Sequence, residues 1–119
     1  MSDYTGIDPK RLEQLHRMGG PDFVKKMIEL FLEEAPDRLG AARRGEQAGD
    51  ITAVAEAAHS LKSSALNFGA NRLSNIAEKI ELQARANACE SLPAMLKDLE
   101  DAYSTAQAWL ERERDALKS

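Results

Sequence analysis

Residues 51–70 read ITAVAEAAHSLKSSALNFGA. In this stretch Ile51, Val54, Ala58, Leu61, Ala65 and Phe68 follow one another at steps of 3, 4, 3, 4 and 3. That is the period of an α-helix, whereas a half-buried strand alternates every second residue. At about 100° per residue the six positions form one stripe, the face that an amphipathic helix turns to its core. Asp50 precedes the run as an N-cap, and Gly69 follows Phe68 as a helix stop, so a helix is predicted from Ile51 to Phe68. By the same arithmetic His59 lies about 140° from the middle of the stripe. Its imidazole is therefore expected in solvent. Ala55 and Ser63 lie one turn before and after it, Lys62 lies within a turn, and Leu66 points almost the same way. The outer face is expected to carry a histidine, a lysine, two small residues and an unburied leucine.

The helical punctuation continues on both sides. Upstream, Asp8-Pro9 is an N-cap followed by a first-turn proline, and it opens a short segment to about Met18 with Leu12 and Leu15 as its apolar stripe. The run MGGPD breaks it. A second segment starts at Pro21 and reaches about Arg44, with Val24, Met27, Phe31, Ala35, Leu39 and Ala42 at helical spacing. Pro36 falls inside this pattern, so a kink is predicted there. Downstream, a helix is predicted over about Ala70 to Ala88, with Leu73, Ile76, Ala77, Ile80 and Ala84 inward. The last begins near Ser91-Leu92-Pro93 and carries Leu92, Leu96, Leu99, Tyr103, Ala106, Leu110 and Leu117. No stretch reads as a strand, and short connections between amphipathic helices imply antiparallel neighbours. The expected fold is all-α: an antiparallel four-helix bundle with a short additional N-terminal helix, one domain over residues 1–119.

Composition narrows the function classes. The 119 residues suit one compact domain. Aromatics are only 5%, so the core must be mostly aliphatic, which favours closely packed helices over a sheet. The net charge is −4 with the two signs interspersed, and no basic run offers the footprint of a nucleic-acid binder. The polar start MSDYTGIDPKR lacks a signal-peptide core, and nothing approaches the length of a membrane span. A cytoplasmic location is expected. Cys89 is the single cysteine and reads as a small semi-buried helix residue. His16 ends a short segment beside Arg17 and reads as a surface residue. No HxxxH or CxxC spacing suggests a metal site.

With these residues in place, AHSLKSSALNFGA resembles the signature of histidine-containing phosphotransfer (Hpt) domains. That motif runs Ala-His-x-Leu-Lys-Gly-Ser and, a few residues on, Gly-Ala. Ala58, His59, Leu61, Lys62, Ser64, Gly69 and Ala70 match it in order and spacing, and GIDPKRLEQLHRMGG and FVKKMIELFLEEAPDRL resemble the first two helices of the family. One position departs: Ser63 stands where the family usually has glycine, and its hydroxyl either bonds the phosphoryl group or crowds docking.

The resemblance implies that His59 accepts a phosphoryl group from a receiver-domain aspartate, or a kinase, and passes it to another receiver aspartate. Residue chemistry agrees. A histidine keeps a large neutral, nucleophilic fraction near neutral pH, and phosphoryl transfer is mainly positioning and charge stabilisation. Lys62 is placed to offset phosphoryl charge. Ser64 sits nearer the helix flank, with a structural or near-site role. Glu81 and Arg85 correspond to positions that flank the histidine in some family members. Either Glu81 bonds the inner ring nitrogen, or Glu81 and Arg85 form an i, i+4 surface ion pair. Ala55 and Leu66 are expected in the docking surface, to which the second segment adds apolar residues.

The chain has no nucleotide-binding loop and no acidic cluster around His59. No cofactor or metal is expected on it, with Mg²⁺ belonging to the partner receiver. The implied partners are response-regulator receiver domains and a sensor or hybrid histidine kinase, with no nucleic acid and no membrane. The implied state is a monomer, and the Met1 start favours a free-standing chain. It would be a carrier with a reactive side chain more than an enzyme in its own right. The alternative reading is a non-phosphorylated module that docks on a kinase or receiver and regulates it.

Overall fold

The computed structural model describes residues 6–117; Met1–Thr5 of the polar start, and Lys118 and Ser119, lie outside it. Four helices follow in order: α1 Pro9–Ala48, α2 Ile51–Asn67, α3 Asn71–Arg85 and α4 Leu92–Ala116. α1 packs against α2 and α4, and α3 packs against the same two, so the four helices form a closed ring of neighbours. The predicted short first helix and long second segment are two arms of α1. They meet at Gly20, whose φ of 82° and ψ of 178° lie outside the helical region. Two causes coincide there. Only glycine adopts that φ without strain, and the proline that follows excludes helical ψ at the residue before it.

Pro36 does not break α1. Helical dihedrals run through it, and Gly20 is the interruption of α1. Pro36 sits on the exposed side. On that side a helix tilts its carbonyls towards water with least disturbance to the packed face. Ala35, one position back, stays buried in the core.

α2 begins as its sequence requires. The Asp50 side chain accepts a hydrogen bond from the Ala53 N–H at 3.1 Å. It ends in a Schellman arrangement: the Gly69 N–H donates to Leu66 O at 3.2 Å and the Ala70 N–H to Ala65 O at 3.0 Å. Gly69 has a φ of +70°, and a Cβ there would stand 2.4 Å from the Asp8 carbonyl oxygen. So this glycine does more than stop a helix. It lets the segment before α1 lie against the α2–α3 turn, where the Asp8 N–H donates to Gly69 O at 2.7 Å and the Arg72 N–H to Gly6 O at 3.0 Å.

The core is aliphatic. Val24, Ile28, Leu61, Leu73, Ile80, Leu92, Leu96, Leu99 and Leu110 are among its most buried side chains. Phe31 bridges α1 to both neighbours, its ring centroid 5.3 Å from that of Phe68 and 5.9 Å from that of Tyr103. The stripe of α2 is buried as predicted from Val54 to Phe68, with Ile51 half-buried at its start. Met27, Leu39, Ile76 and Leu117 are likewise half-buried at the edges.

Candidate functional site

α2 and α3 run side by side, and their seam carries the site. His59 projects from α2 with its side chain 56% exposed, while Glu81 on α3 keeps only 9% of its side chain accessible. The Glu81 carboxylate faces Nδ1 of His59, at 3.1 Å from Oε2 and 3.3 Å from Oε1. It also accepts from Lys62 Nζ at Oε1, 3.0 Å, and from Arg85 Nε at Oε2, 3.0 Å. A second guanidinium nitrogen, Nη2 of Arg85, lies 3.0 Å from the same oxygen. One nearly buried carboxylate thus gathers three basic side chains from two helices.

Burial works against the charge on Glu81. Hydrogen bonds from Lys62, Arg85 and His59, together with the field of the Lys62 ammonium, outweigh it and lower its pKa from 4.5 to about 2. Near neutral pH it is therefore an anion, and an anion can only accept. A neutral imidazole beside it carries its proton on Nδ1, which leaves the Nε2 lone pair free. The arrangement presents an oriented nucleophile to solvent beside a lysine.

The two readings of Glu81 left open by the sequence are both realised. It pairs with Arg85 across one turn and bonds the histidine ring at the same time. Lys62 joins the group too, which spacing along α2 alone does not reveal. Its side chain is 23% exposed and leans into the seam. Leu66 stands out from α2 at 51% exposure, and Ser63 is exposed.

Ala55 corrects an expectation. It was predicted on the outer face with His59, but it is buried, with 2% of its surface accessible. Its direction on the wheel lies between those of His59 and Lys62, towards α3. Long side chains reach out of that seam, whereas a methyl group stays within it, walled by Ala84 and Arg85 in a groove shared with Thr52. Ser64 lies on the opposite flank of α2. It lines a groove with Met27, Leu30, Phe31 and Phe68, and so belongs to the α1–α2 contact. Leu30, 54% exposed on that groove, is an apolar residue of the kind expected from the second segment. A polar tie that spacing along one helix does not reveal also crosses this contact: Arg38 on α1 donates to Ser60 at 3.1 Å.

The model of the Hpt domain family matches residues 26–109. The chain belongs to the Hpt domain family. This Hpt domain is 30% identical over 104 residues to the phosphorelay protein LuxU of Vibrio harveyi, which spans 82% of the chain and 91% of the relative. With LuxU of Vibrio cholerae it shares 31% over 91 residues, 76% of this chain and 79% of that one. The crystal structure of histidine-containing phosphotransfer protein B (HptB) from Pseudomonas aeruginosa PAO1 superposes with a TM-score of 0.91, covering 96% of this chain and 98% of that one. At 24% identity that match establishes the shared fold. Among the described residues no helix of this Hpt domain is long and apolar enough to cross a membrane. Nor does any cluster of three or more His, Cys, Asp or Glu among them form a metal cage.

Proposed function

We propose that this Hpt domain is a phosphorelay carrier and that Nε2 of His59 is the atom that carries the phosphoryl group. The observation that supports this most is the pairing of Nδ1 with the Glu81 carboxylate while the rest of the ring stands in solvent. The Nε2 lone pair attacks the phosphorus of an aspartyl phosphate on a receiver domain. The N–P bond forms, the P–O bond to the aspartate breaks, and the aspartate leaves with that electron pair. The reverse sequence loads the next receiver. Lys62 turns towards the phosphoryl oxygens and offsets their charge, as point charges do in phosphoryl transfer.

The receiver supplies Mg²⁺ and the remaining charge stabilisation; this chain supplies the nucleophile. The partners are receiver domains and a sensor or hybrid histidine kinase, met in the cytoplasm by a monomer. Leu66, Ser63 and the exposed edge of the α2–α3 pair form the docking surface, and Ala55 contributes the floor of the adjoining groove. Such a surface is modest in area and suits a brief encounter.

The test is a mixing experiment with phosphorylated receivers. The wild-type chain is expected to gain acid-labile, base-stable phosphate, and the His59→Gln variant none. Label that persists in His59→Gln would move the site elsewhere. A wild-type chain that binds a receiver tightly and never gains label would favour a regulatory docking module.

A further inference from the structure

Phosphorylation of His59 changes what Glu81 faces. Before transfer, the carboxylate of Glu81 holds three basic groups: His59 and Lys62 from α2 and Arg85 from its own helix. The other flank of α2 meets α1, where Arg38 is bonded to Ser60. Glu56 of α2 lies on that α1–α2 groove with Arg38, and Glu78 of α3 is exposed. No α4 side chain is among the bonded partners of Glu81. A phosphoryl group on Nε2 brings new negative oxygens to the same spot. They compete with Glu81 for Lys62, and for Arg85, whose side chain is 55% exposed. The proton on Nδ1 is the one basic contact the phosphoryl group cannot take, because it sits on the far side of the ring.

Resting on the carrier reading above, we infer that Glu81 is a positioning residue that keeps Nδ1 of phospho-His59 protonated. It thereby sets the pH range over which the phosphoryl group leaves. The balance is simple. When Nε2 takes the phosphoryl group, its lone pair becomes the N–P bond and the Nδ1 proton stays, so the ring becomes a cation. When the phosphoryl group departs to a carboxylate or to water, the N–P electron pair returns to Nε2 and the ring leaves as neutral imidazole. If Nδ1 loses its proton first, the leaving group is an imidazolate, which departs poorly. A carboxylate 3.1 Å from Nδ1 favours the protonated form, as an opposite charge does for any titrating group. Lys62 and Arg85, the cations that disfavour it, are also the two side chains for which the phosphoryl oxygens compete.

The test follows the titration of phospho-His59 itself. The chain is phosphorylated and its ³¹P and ring ¹⁵N shifts are recorded between pH 5 and 9, as is the rate of phosphate loss. A phosphorylated peptide spanning residues 55–65 serves as reference. The expected midpoint in the folded protein lies above that of the peptide, because the carboxylate favours the protonated ring. In Glu81→Gln the midpoint falls back by about as much, and at pH 8 the phosphohistidine persists several-fold longer. Glu81→Asp, with the charge kept, is expected to stay nearer the wild type. Equal midpoints for wild type and peptide, or an unchanged midpoint in Glu81→Gln, overturn the inference and leave the carrier reading standing. The comparison with the peptide needs no variant, so misfolding of Glu81→Gln does not protect the idea. A wild-type chain that cannot be phosphorylated on His59 overturns both.

Discussion

Glu81 is charged where charge is costly. With 7% of its surface accessible, it stays ionised because Lys62, Arg85 and His59 bond it. Its folded-state pKa, about 2, lies below the ordinary 4.5, so the group stabilises the fold. The contribution is complete above about pH 4.5 and disappears as the pH falls towards 2. It is worth roughly 3 kcal/mol at most. Urea unfolding at pH 6 and pH 3 should show the stability gap between wild type and Glu81→Gln narrowing at the lower pH. A gap that stays constant would contradict this. Tyr103 poses the opposite case. Its ring is buried, and its hydroxyl has no hydrogen-bond partner among the described residues. Burial, reinforced by the charge of Glu111, pushes its pKa up. A lone buried hydroxyl costs on the order of 1–3 kcal/mol. Tyr103→Phe should therefore raise stability by about 1 kcal/mol in the same assay, and a clear loss would mean that the hydroxyl has a partner. At this scale the exposure of His59 was legible, since a helical wheel needs only one helix. The burial of Ala55 was not, because it depends on which neighbour covers a methyl group.

Among the elements, α2 was the most legible. Its cap, its stripe and its glycine stop are all local signals, and each has its expected partner. The proline at 36 is a local signal as well, and the helical dihedrals of α1 run through it unbroken. The proline faces water, so the packed face of α1 continues past it. What no local signal revealed was the contact between Gly69 and Asp8. This gives a paired prediction. Gly69 and Gly20 both have positive φ, yet a Cβ at Gly20 meets nothing within 4 Å, whereas one at Gly69 would collide with backbone. Gly20→Ala should cost only the strain of a positive φ with extended ψ, about 1–3 kcal/mol. Gly69→Ala should cost more, and should loosen hydrogen-exchange protection at the amides of Asp8 and Arg72. Equal costs for the two would show that the segment before α1 yields freely. Asp50→Ala should cost about 1 kcal/mol through the lost cap.

The whole molecule was legible in its class and only partly in its site. The long arm of α1, residues 21–48, is about 42 Å long at 1.5 Å per residue. It sets the long dimension of a molecule 46 Å from end to end. Along the wall formed by α2 and α3, His59 was identifiable from a motif, because its neighbours are close in sequence. The group around Glu81 joins residues about 20 positions apart, which only packing brings together. Docking belongs to this scale too. Leu66 is half exposed and makes little contribution to the core, so Leu66→Ala should leave thermal stability nearly unchanged. It should raise several-fold the receiver concentration needed for half-maximal transfer rate. An unchanged concentration dependence would place docking on another face. The most direct measurement maps the phosphate itself, by mass spectrometry of the receiver-phosphorylated chain handled at alkaline pH throughout. The expected result is one phosphoryl group, on His59. Phosphate found on His16, or on any residue other than His59, would contradict it.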